Sequence, residues 1–343
     1  MKFRLDDKSL PVLATLVVCV LLYTLGAVVF YQNNFLSLQV LELLFSSEAV
    51  LGIMAVGMTF VILSGGIDLS VGSVLSLSTM IVAMLVAKTH WHPVMAMLAA
   101  LAAGAAVGLI NGALIQFFEL PPFLVTLATL FLARGIALWM NHTDRISLDS
   151  DPFFRSFTRL RVSAGDVRIY LRTIVFLVVV ACGVFVARTT RFGRTVYALG
   201  GSEQASTLMG LPVARTKVLV YTLSGMLAAL AGVVFLSDTP SGDPTVAVGW
   251  ELNAIAAVVI GGTPLSGGVG SVVGTLLGTV ILALIYQIIS NGNLDEAWDR
   301  IFNGLLLFAF IAMQKLLTRL RAGKTPPLAI LRHASSSPVP VGE

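Results

Sequence analysis

Ten apolar runs divide this chain, and the first alone excludes most folds. It extends from Leu10 to Tyr31 without an Asp, Glu, Lys or Arg. About twenty such residues cross a 30 Å hydrocarbon layer as an α-helix. Lys2, Arg4 and Lys8 precede it. A secretory leader also begins with positive charge, but its apolar core is about 7–15 residues and ends in a small-residue cleavage site. This run ends in Val28-Val29-Phe30-Tyr31 and reads as a retained first transmembrane helix. Further runs follow at approximately 47–64, 71–87, 94–117, 123–140, 173–187, 217–236, 251–262, 270–289 and 301–317. The expectation is an all-α, polytopic integral membrane protein with about ten transmembrane helices. The shorter runs would be tilted, broken or shielded by neighbours.

Composition agrees. Of 343 residues, 57% are hydrophobic and 12% charged, against about 45–50% and 25% in soluble domains. Cys19 and Cys182 both lie in apolar runs, so no disulfide framework is expected. The net charge of +4 and the pI near 9.2 need no nucleic acid. Cytoplasmic loops of membrane proteins collect Lys and Arg, and no basic stretch here is interleaved with aromatics. The predicted organisation is a transmembrane domain over 1–320 and a disordered cytoplasmic tail over 321–343, rich in Pro and Ser.

Loop charges give the orientation. Arg188, Arg191, Arg194, Arg215 and Lys217 mark the loop 188–216 as cytoplasmic, and Lys315, Arg319, Arg321, Lys324 and Arg332 do the same for the C-terminus. The loop 237–250 carries Asp238 and Asp243 without Lys or Arg and should face outward. Ten crossings with both termini inside satisfy all three. The loop 141–172 conflicts: it falls outside by parity yet holds six arginines, together with Asp144, Asp149, Asp151 and Asp166.

Two stretches share a pattern. One is Ser64-Gly65-Gly66-Ile67-Asp68-Leu69-Ser70-Val71-Gly72-Ser73-Val74. The other is Ile260-Gly261-Gly262-Thr263-Pro264-Leu265-Ser266-Gly267-Gly268-Val269-Gly270-Ser271-Val272. Asn111-Gly112 and Asn303-Gly304 recur at a similar offset. Two halves of like orientation form a parallel internal repeat. Irregular glycine-rich backbone at membrane depth must be buried in protein or line a cavity. Plain cytoplasmic turns need glycine too, and both readings stay open. On the first, Gly65, Gly66, Asp68, Ser70, Asn111, Gly261, Gly262 and Ser266 are candidates for a substrate pathway or gate. An ionisable residue such as Asp68 inside a membrane segment is expensive and functional by default. It could equally cap the helix beginning near Ser70. Arg134 would snorkel or pair with a buried acid. Pro121-Pro122 sets a helix start. Gly104, Gly108 and Gly112, and likewise Gly270, Gly274 and Gly278, would each open one helix face to close packing.

Catalytic signatures are absent. Gly323-Lys324-Thr325 lacks the first glycine of a phosphate loop, no H-E-x-x-H occurs, and His90, His92, His142 and His333 form no metal set. The chain is not expected to be an enzyme. The loop 188–216 is more informative. Ser202 suits an N-cap, Glu203 the first turn and Gly210 the position after the last turn, with Pro212 barring continuation. A two-turn helix results, presenting Leu208 and Met209. Such a helix is not stable alone; docking against a partner would stabilise it, and an ordinary amphipathic connector is the other reading.

The stretch Gly57-Met58-Thr59-Phe60-Val61-Ile62-Leu63-Ser64-Gly65-Gly66-Ile67-Asp68-Leu69-Ser70-Val71-Gly72-Ser73 resembles the permease subunit of bacterial ATP-binding-cassette sugar importers. So do Pro122-Phe123 with Thr126-Leu127, Arg134-Gly135, Thr190-Arg191-Phe192-Gly193-Arg194 and Tyr197-Ala198-Leu199-Gly200-Gly201. Val259 through Gly270 completes the likeness to the ribose/xylose/galactose branch. Within it, Ala55 to Ser73 and the loop 190–212 are most similar to a galactofuranose importer permease; the loop 141–170 and the tail depart from it. The resemblance implies a bacterial inner-membrane protein that carries a monosaccharide inward. It implies an ABC ATPase partner that binds ATP and Mg, with no cofactor in this chain. A second, paralogous permease, a periplasmic sugar-binding protein and membrane lipid complete the partners. Gly200, Gly201, Ser202, Glu203, Ala205, Leu208, Met209 and Gly210 would couple ATPase closure to the membrane domain. The alternative is an ion-coupled secondary carrier, which would be expected to hold several intramembrane carboxylates.

Overall fold

A computed structural model describes residues 10–30, 35–142, 144–164 and 167–292, with 295, 297–298, 301–302, 304–310 and 312 beyond them. The N-terminal basic residues, Asn303 and the tail 321–343 lie outside the described residues. Six helices come first: α1 (Leu10–Val29), α2 (Leu38–Ser47), α3 (Ala49–Leu63), α4 (Val71–Ala87), α5 (Pro93–Phe117) and α6 (Pro122–Asn141). Strand β1 (Ile146–Ser147), the short α7 (Pro152–Phe157) and the strands β2 (Arg161–Ala164) and β3 (Val167–Tyr170) follow. Then come α8 (Leu171–Thr189), α9 (Arg191–Gly201), α10 (Glu203–Leu208), α11 (Val213–Phe235), β4 (Ser241–Gly242), α12 (Trp250–Ile260) and α13 (Val272–Asn291).

Each apolar run up to 289 is helical. Six described helices are long and apolar enough to cross a membrane, or seven if α2 and α3, bent by 56° about Glu48, form one span. The shorter α4 and α12 are shielded by neighbours, as their length requires. By this measure the described residues do not reach the expected ten spans. Helix α2 and helix α9 were not anticipated. Ser37 starts α2, its Oγ accepting the Val40 amide at 3.3 Å. The expected start at Pro122 holds for α6.

Helix α3 is buried along its whole length, as an all-round apolar helix must be. Glycine spacing explains its neighbours. A Cβ at Gly104, Gly108 or Gly112 of α5 would overlap α11 between Val218 and Ala229. The expected close-packing face is therefore the α5–α11 contact. The second set needs correction. Gly274 and Gly278 pack against Gly261 and Ala257 of α12, but Gly270 lies in the preceding turn with φ +137°, off the helix.

Both strand pairs are antiparallel. Ile146 pairs with Gly242 and Ser147 with Ser241, so the loops 141–172 and 237–250 share one end of the bundle. This places the arginine-rich loop beside the acidic one, as parity required. Arg145 meets Asp243 at 2.8 Å, and Arg172 pairs with Asp238. The loop 237–250 does not stay at the surface. Ser76 Oγ donates to the Asp243 carbonyl at 3.1 Å, and a Cβ at Gly72 would meet the Ala247 carbonyl at 2.6 Å. The segment thus descends along α4 nearly to its first turn. Arg134 holds it there, donating to the Pro244 and Val246 carbonyls at 2.8 Å each. The expected acids, Glu251 and Asp243, act on the guanidinium through their charge, while its hydrogen bonds go to two backbone oxygens, which need partners once this irregular segment is buried.

Candidate functional site

The first glycine turn reaches far into the bundle. Helix α3 ends with Gly65 N–H donating to Ile62 O and Gly66 N–H to Val61 O, both at 2.9 Å, and Gly65 takes φ +83°. This left-handed exit satisfies the last carbonyls and turns the chain back. Asp68 then lies 0% exposed. Its Oδ1 accepts the Ser70 amide at 3.0 Å and the Ser70 hydroxyl at 2.6 Å; its Oδ2 accepts the Ser224 hydroxyl at 2.7 Å. Asn111 Nδ2 donates to Ser70 Oγ at 3.2 Å, and Thr129 Oγ1 to Asn111 Oδ1 at 2.6 Å. Five residues, two from the turn that leads into α4 and one each from α5, α6 and α11, thus share one network.

Its depth follows from helix geometry. At 1.5 Å per residue, Ser224 lies about 16 Å into α11 and Asn111 about 9 Å from the end of α5. The first turn therefore enters the bundle interior and is no edge loop. The capping expectation changes with it. Ser70 is the residue that precedes α4, and Asp68 binds Ser70 rather than the helix's own first amides. Each intramolecular hydrogen bond contributes about 0.5–1.5 kcal/mol net, and leaving a buried partner unmet costs about 1–3 kcal/mol. Three donors satisfy both oxygens of the buried Asp68 carboxyl group with no cation in direct contact.

The second turn repeats the exit and not the network. Gly262 N–H donates to Val259 O at 2.9 Å, Thr263 N–H to Val258 O at 3.2 Å, and Gly262 takes φ +90°. Gly262 is thus the structural counterpart of Gly65, one residue later than the sequence pairing of Gly65-Gly66 with Gly261-Gly262. Gly261 packs on Gly274. Ser266 is exposed. Instead the turn folds over the end of α3: Gly268 N–H donates to Leu63 O at 3.0 Å, and a Cβ on Gly267 would meet Gly65 N at 2.8 Å.

Helix α9 joins the same junction. A Cβ on Gly200 would overlap the Leu63 carbonyl and the Gly268 amide. Tyr197 Oη donates to Gly270 O at 3.0 Å. Burial raises the Tyr197 pKa, against the opposing effect of Arg188, so the phenol keeps its proton for that bond. Gly200 therefore faces the two turns, whereas a methyl on Gly201 would meet open space. Helix α10 has the expected caps. Ser202 Oγ accepts the Ala205 amide at 3.2 Å, Gly210 takes φ +72°, and Leu211 N–H donates to Ser206 O at 3.1 Å. Glu203 pairs with Lys217 of α11 at 2.6 Å. Leu208 is 89% and Met209 67% exposed, and Ala205 is exposed beside them.

A cavity of about 460 Å³ lies between these parts. Ser64, Gly65 and Gly66 form one wall, Ile115, Gln116 and the stretch Glu119–Pro122 contribute another, and Glu203, Lys217 and Tyr221 close it. Tyr221 stands where cavity and network meet: a Cβ on Gly66 would overlap its Oη. Sequence reasoning missed Ser224, Tyr221, Thr129 and Gln116. Ser224 and Asp68 are 156 positions apart, and nothing local in Leu223-Ser224-Gly225 marks a partner for a carboxylate.

A family described as "Branched-chain amino acid transport system / permease component" matches residues 40–311. The inner membrane ABC transporter permease protein YjfF of Escherichia coli (strain K12) is 42% identical over 314 residues, covering 91% of this chain and 93% of that one. The fructose import permease protein FruG of Bifidobacterium longum (strain NCC 2705) is 38% identical over 320 residues, with the same coverage. The ribose import permease protein RbsC of Escherichia coli (strain K12) is 38% identical over 284 residues, 82% of this chain and 84% of that one. No solved structure matches the chain.

Proposed function

Since the chain belongs to the branched-chain amino acid transport system / permease component family, we propose that it is the membrane subunit of an ATP-driven importer for a monosaccharide. Relatives named for ribose and fructose import support a sugar cargo. Galactofuranose is the first sugar to test, on the likeness of Ala55–Ser73 and the loop 190–212. The observation that carries the reading is α10: a capped two-turn helix that holds Leu208 and Met209 out of the bundle and is tied to α11 by Glu203–Lys217. It has the form of a docking element for a separate ATPase, which binds the ATP and Mg. The end bearing α9 and α10 then faces the cytoplasm with both termini, and the β1–β4 end faces a periplasmic sugar-binding protein. A second, paralogous permease completes the pathway in the bacterial inner membrane.

Gly200, against the ends of both glycine turns, would carry α9 motion to Leu63 and so to Gly65, Gly66, Asp68, Ser70 and Asn111. These act as a gate lock, satisfied internally in the closed form. Gly261 and Gly262 shape the second turn, and Ser266 marks its exposed side. Import requires that ATP and the loaded binding protein favour different states of this lock.

The test is ATPase activity in nanodiscs, with the chain coexpressed with its neighbouring ATPase, permease and binding-protein genes. Stimulation that needs both the binding protein and one sugar supports the reading and names the cargo. Leu208→Asp with Met209→Asp should abolish copurification of the ATPase while leaving membrane insertion intact. A folded chain that recruits no ATPase overturns the reading.

A further inference from the structure

The span that ends in α12 is helical for only part of its length. Helix α12 has 11 residues, about 16 Å at 1.5 Å per residue, against a hydrocarbon layer of about 30 Å. The descending segment supplies the rest. Gly242 lies against Thr79 and Ala83 of α4, and the Ala247 carbonyl against Gly72 near that helix's other end. Segment and helix meet in an elbow, with Ala247 at φ +59° and Gly249 at φ +84°. A left-handed alanine persists only where its surroundings fix it. Here they do so from both sides. Arg134 Nη1 donates to the Pro244 and Val246 carbonyls before the elbow, and the Glu251 carboxylate packs on Gly72 after it.

What the elbow faces follows from its backbone. Non-helical backbone at membrane depth is tolerated only where protein buries it or it lines a water-filled cavity. This chain does not bury the elbow. Val248 is 70% and Leu252 61% exposed, Thr245 is exposed, and Gly249 is half-buried. Arg134, Glu251 and Asn253 are also half-buried, which leaves polar groups partly open at the same depth. Ionisable groups in a span face the bundle interior or a water-filled cavity. Both arguments exclude lipid. Helix α1 shows the contrast: Leu16, Val17 and Leu21 are exposed on an unbroken apolar helix, which lipid accepts. Arg134 and Glu251 carry opposite charges that act on each other. The most exposed side chains of the elbow are therefore the apolar Val248 and Leu252.

We infer that this elbow lines the water-filled pathway near mid-depth, that Val248 and Leu252 form an apolar constriction there, and that Arg134 is the residue that positions them. The inference rests on the importer reading and names pathway residues outside the Asp68 network. An apolar constriction gates a wet pathway by dewetting, so a small displacement of the elbow opens or closes it.

The experiment uses the assembled importer in proteoliposomes, with Cys19→Ala and Cys182→Ala removing the chain's two cysteines. Val248→Cys and Leu252→Cys are treated with a charged methanethiosulfonate, with and without ATP and vanadate, and modification is followed by mass. Leu21→Cys on α1 is the lipid-facing reference, as exposed as Leu252 at 61%. A thiol reacts as thiolate, which forms in water and not in lipid, so the elbow cysteines should react about tenfold or more faster than the reference in at least one state. Rates equal to the reference in both states would mean that lipid or another chain covers the elbow, and would overturn the inference. Val248→Trp adds bulk at an exposed position. It should leave ATPase copurification intact and cut uptake about tenfold; uptake at the wild-type rate would overturn the constriction. Arg134 is read through the elbow. On an Arg134→Met background, labelling of Val248→Cys should change severalfold while that of Leu21→Cys stays the same, and Arg134→Lys, which keeps a donor, should change it less. Labelling unmoved by Arg134→Met would overturn the positioning role. Uptake is measured with radiolabelled D-ribose, D-fructose and D-galactose. An importer that works with an unreactive elbow sinks this inference alone. A folded chain that recruits no ATPase sinks the reading beneath it, whatever the elbow does.

Discussion

The two glycine turns share a backbone exit and differ in everything that follows it. Each ends its helix with paired amide-to-carbonyl bonds and a glycine at φ +83° or +90°. After the first, four residues carry Asp68 and Ser70 into the interior, where every carboxylate oxygen finds a hydroxyl. After the second, the chain passes through Pro264, leaves Leu265 and Ser266 exposed, and folds Gly267-Gly268 over the end of α3. The two extra residues of the second copy supply that reach. A repeated motif here fixes how the chain leaves a helix; which side chains α5, α6 and α11 present decides whether chemistry follows.

The sharpest way to break this contrast is to move the carboxyl group. Asp68→Ala strands the Ser70 and Ser224 donors in the interior and should cost about 3 kcal/mol or more. Pro264→Asp places a carboxylate at the corresponding point of the second turn, which is partly open to its surroundings, and should cost under about 1 kcal/mol. Thermal unfolding of the purified chain in detergent reads both. Equal shifts would mean that the network contributes no more than an ordinary turn.

The junction comes next. Gly267→Ala combines φ +76° with contacts at 2.8 Å to Gly65 N and 2.9 Å to Ile62 O, so strain and overpacking together should cost about 2–3 kcal/mol. Gly200→Ala should cost a similar amount of about 2 kcal/mol, because its methyl would overlap Leu63 and Gly268 backbone. Its neighbour is the control: Gly201→Ala meets open space and should change stability by less than about 0.5 kcal/mol. A Gly200→Ala protein as stable as Gly201→Ala would detach α9 from the two turns. Gly65→Ala meets no atom within 4 Å, so only its φ of +83° is at stake, about 1–2 kcal/mol. The second turn should thus be the more sensitive to a methyl, and the first to loss of its carboxyl group.

Local physics made much of this legible. Apolar length marked the helices, the small-residue spacing of Gly104, Gly108 and Gly112 marked a close-packing face without naming α11 as what meets it, and Ser202 with Gly210 bounded α10. Asp68 stood out because a lone carboxylate among apolar residues is expensive. Its partners did not, because Ser224 and Asn111 are chosen by packing across the bundle rather than by any spacing along the chain. The same limit explains Arg134. An acid is the natural partner for a guanidinium among apolar residues; the descent of the loop 237–250 brings two carbonyls to bonding distance, while Asp243 and Glu251 act on it by charge alone. That descent has no local signature, since a polar, acidic loop reads as a surface loop. Gly270 misled for a simpler reason: four-residue spacing continued past the helix start at Ser271.

Ser266 tests the asymmetry at its weakest point. It is the second copy's counterpart of Ser70, exposed at the tip of the turn beside Leu265 at 41% and Val269 at 46% exposure. Ser70 donates to Asp68 and accepts from Asn111, so its loss reaches two buried groups. Ser266→Ala removes a hydroxyl that faces away from the bundle, and its effect on unfolding should lie within about 0.5 kcal/mol of zero. Transport by the assembled importer should be unchanged as well if the second turn serves only as a brace for α3. Normal stability with transport cut severalfold would mean that this exposed face meets another subunit or the cargo. The two turns would then differ in what they touch, one inward and one outward, and the second copy would have chemistry of its own.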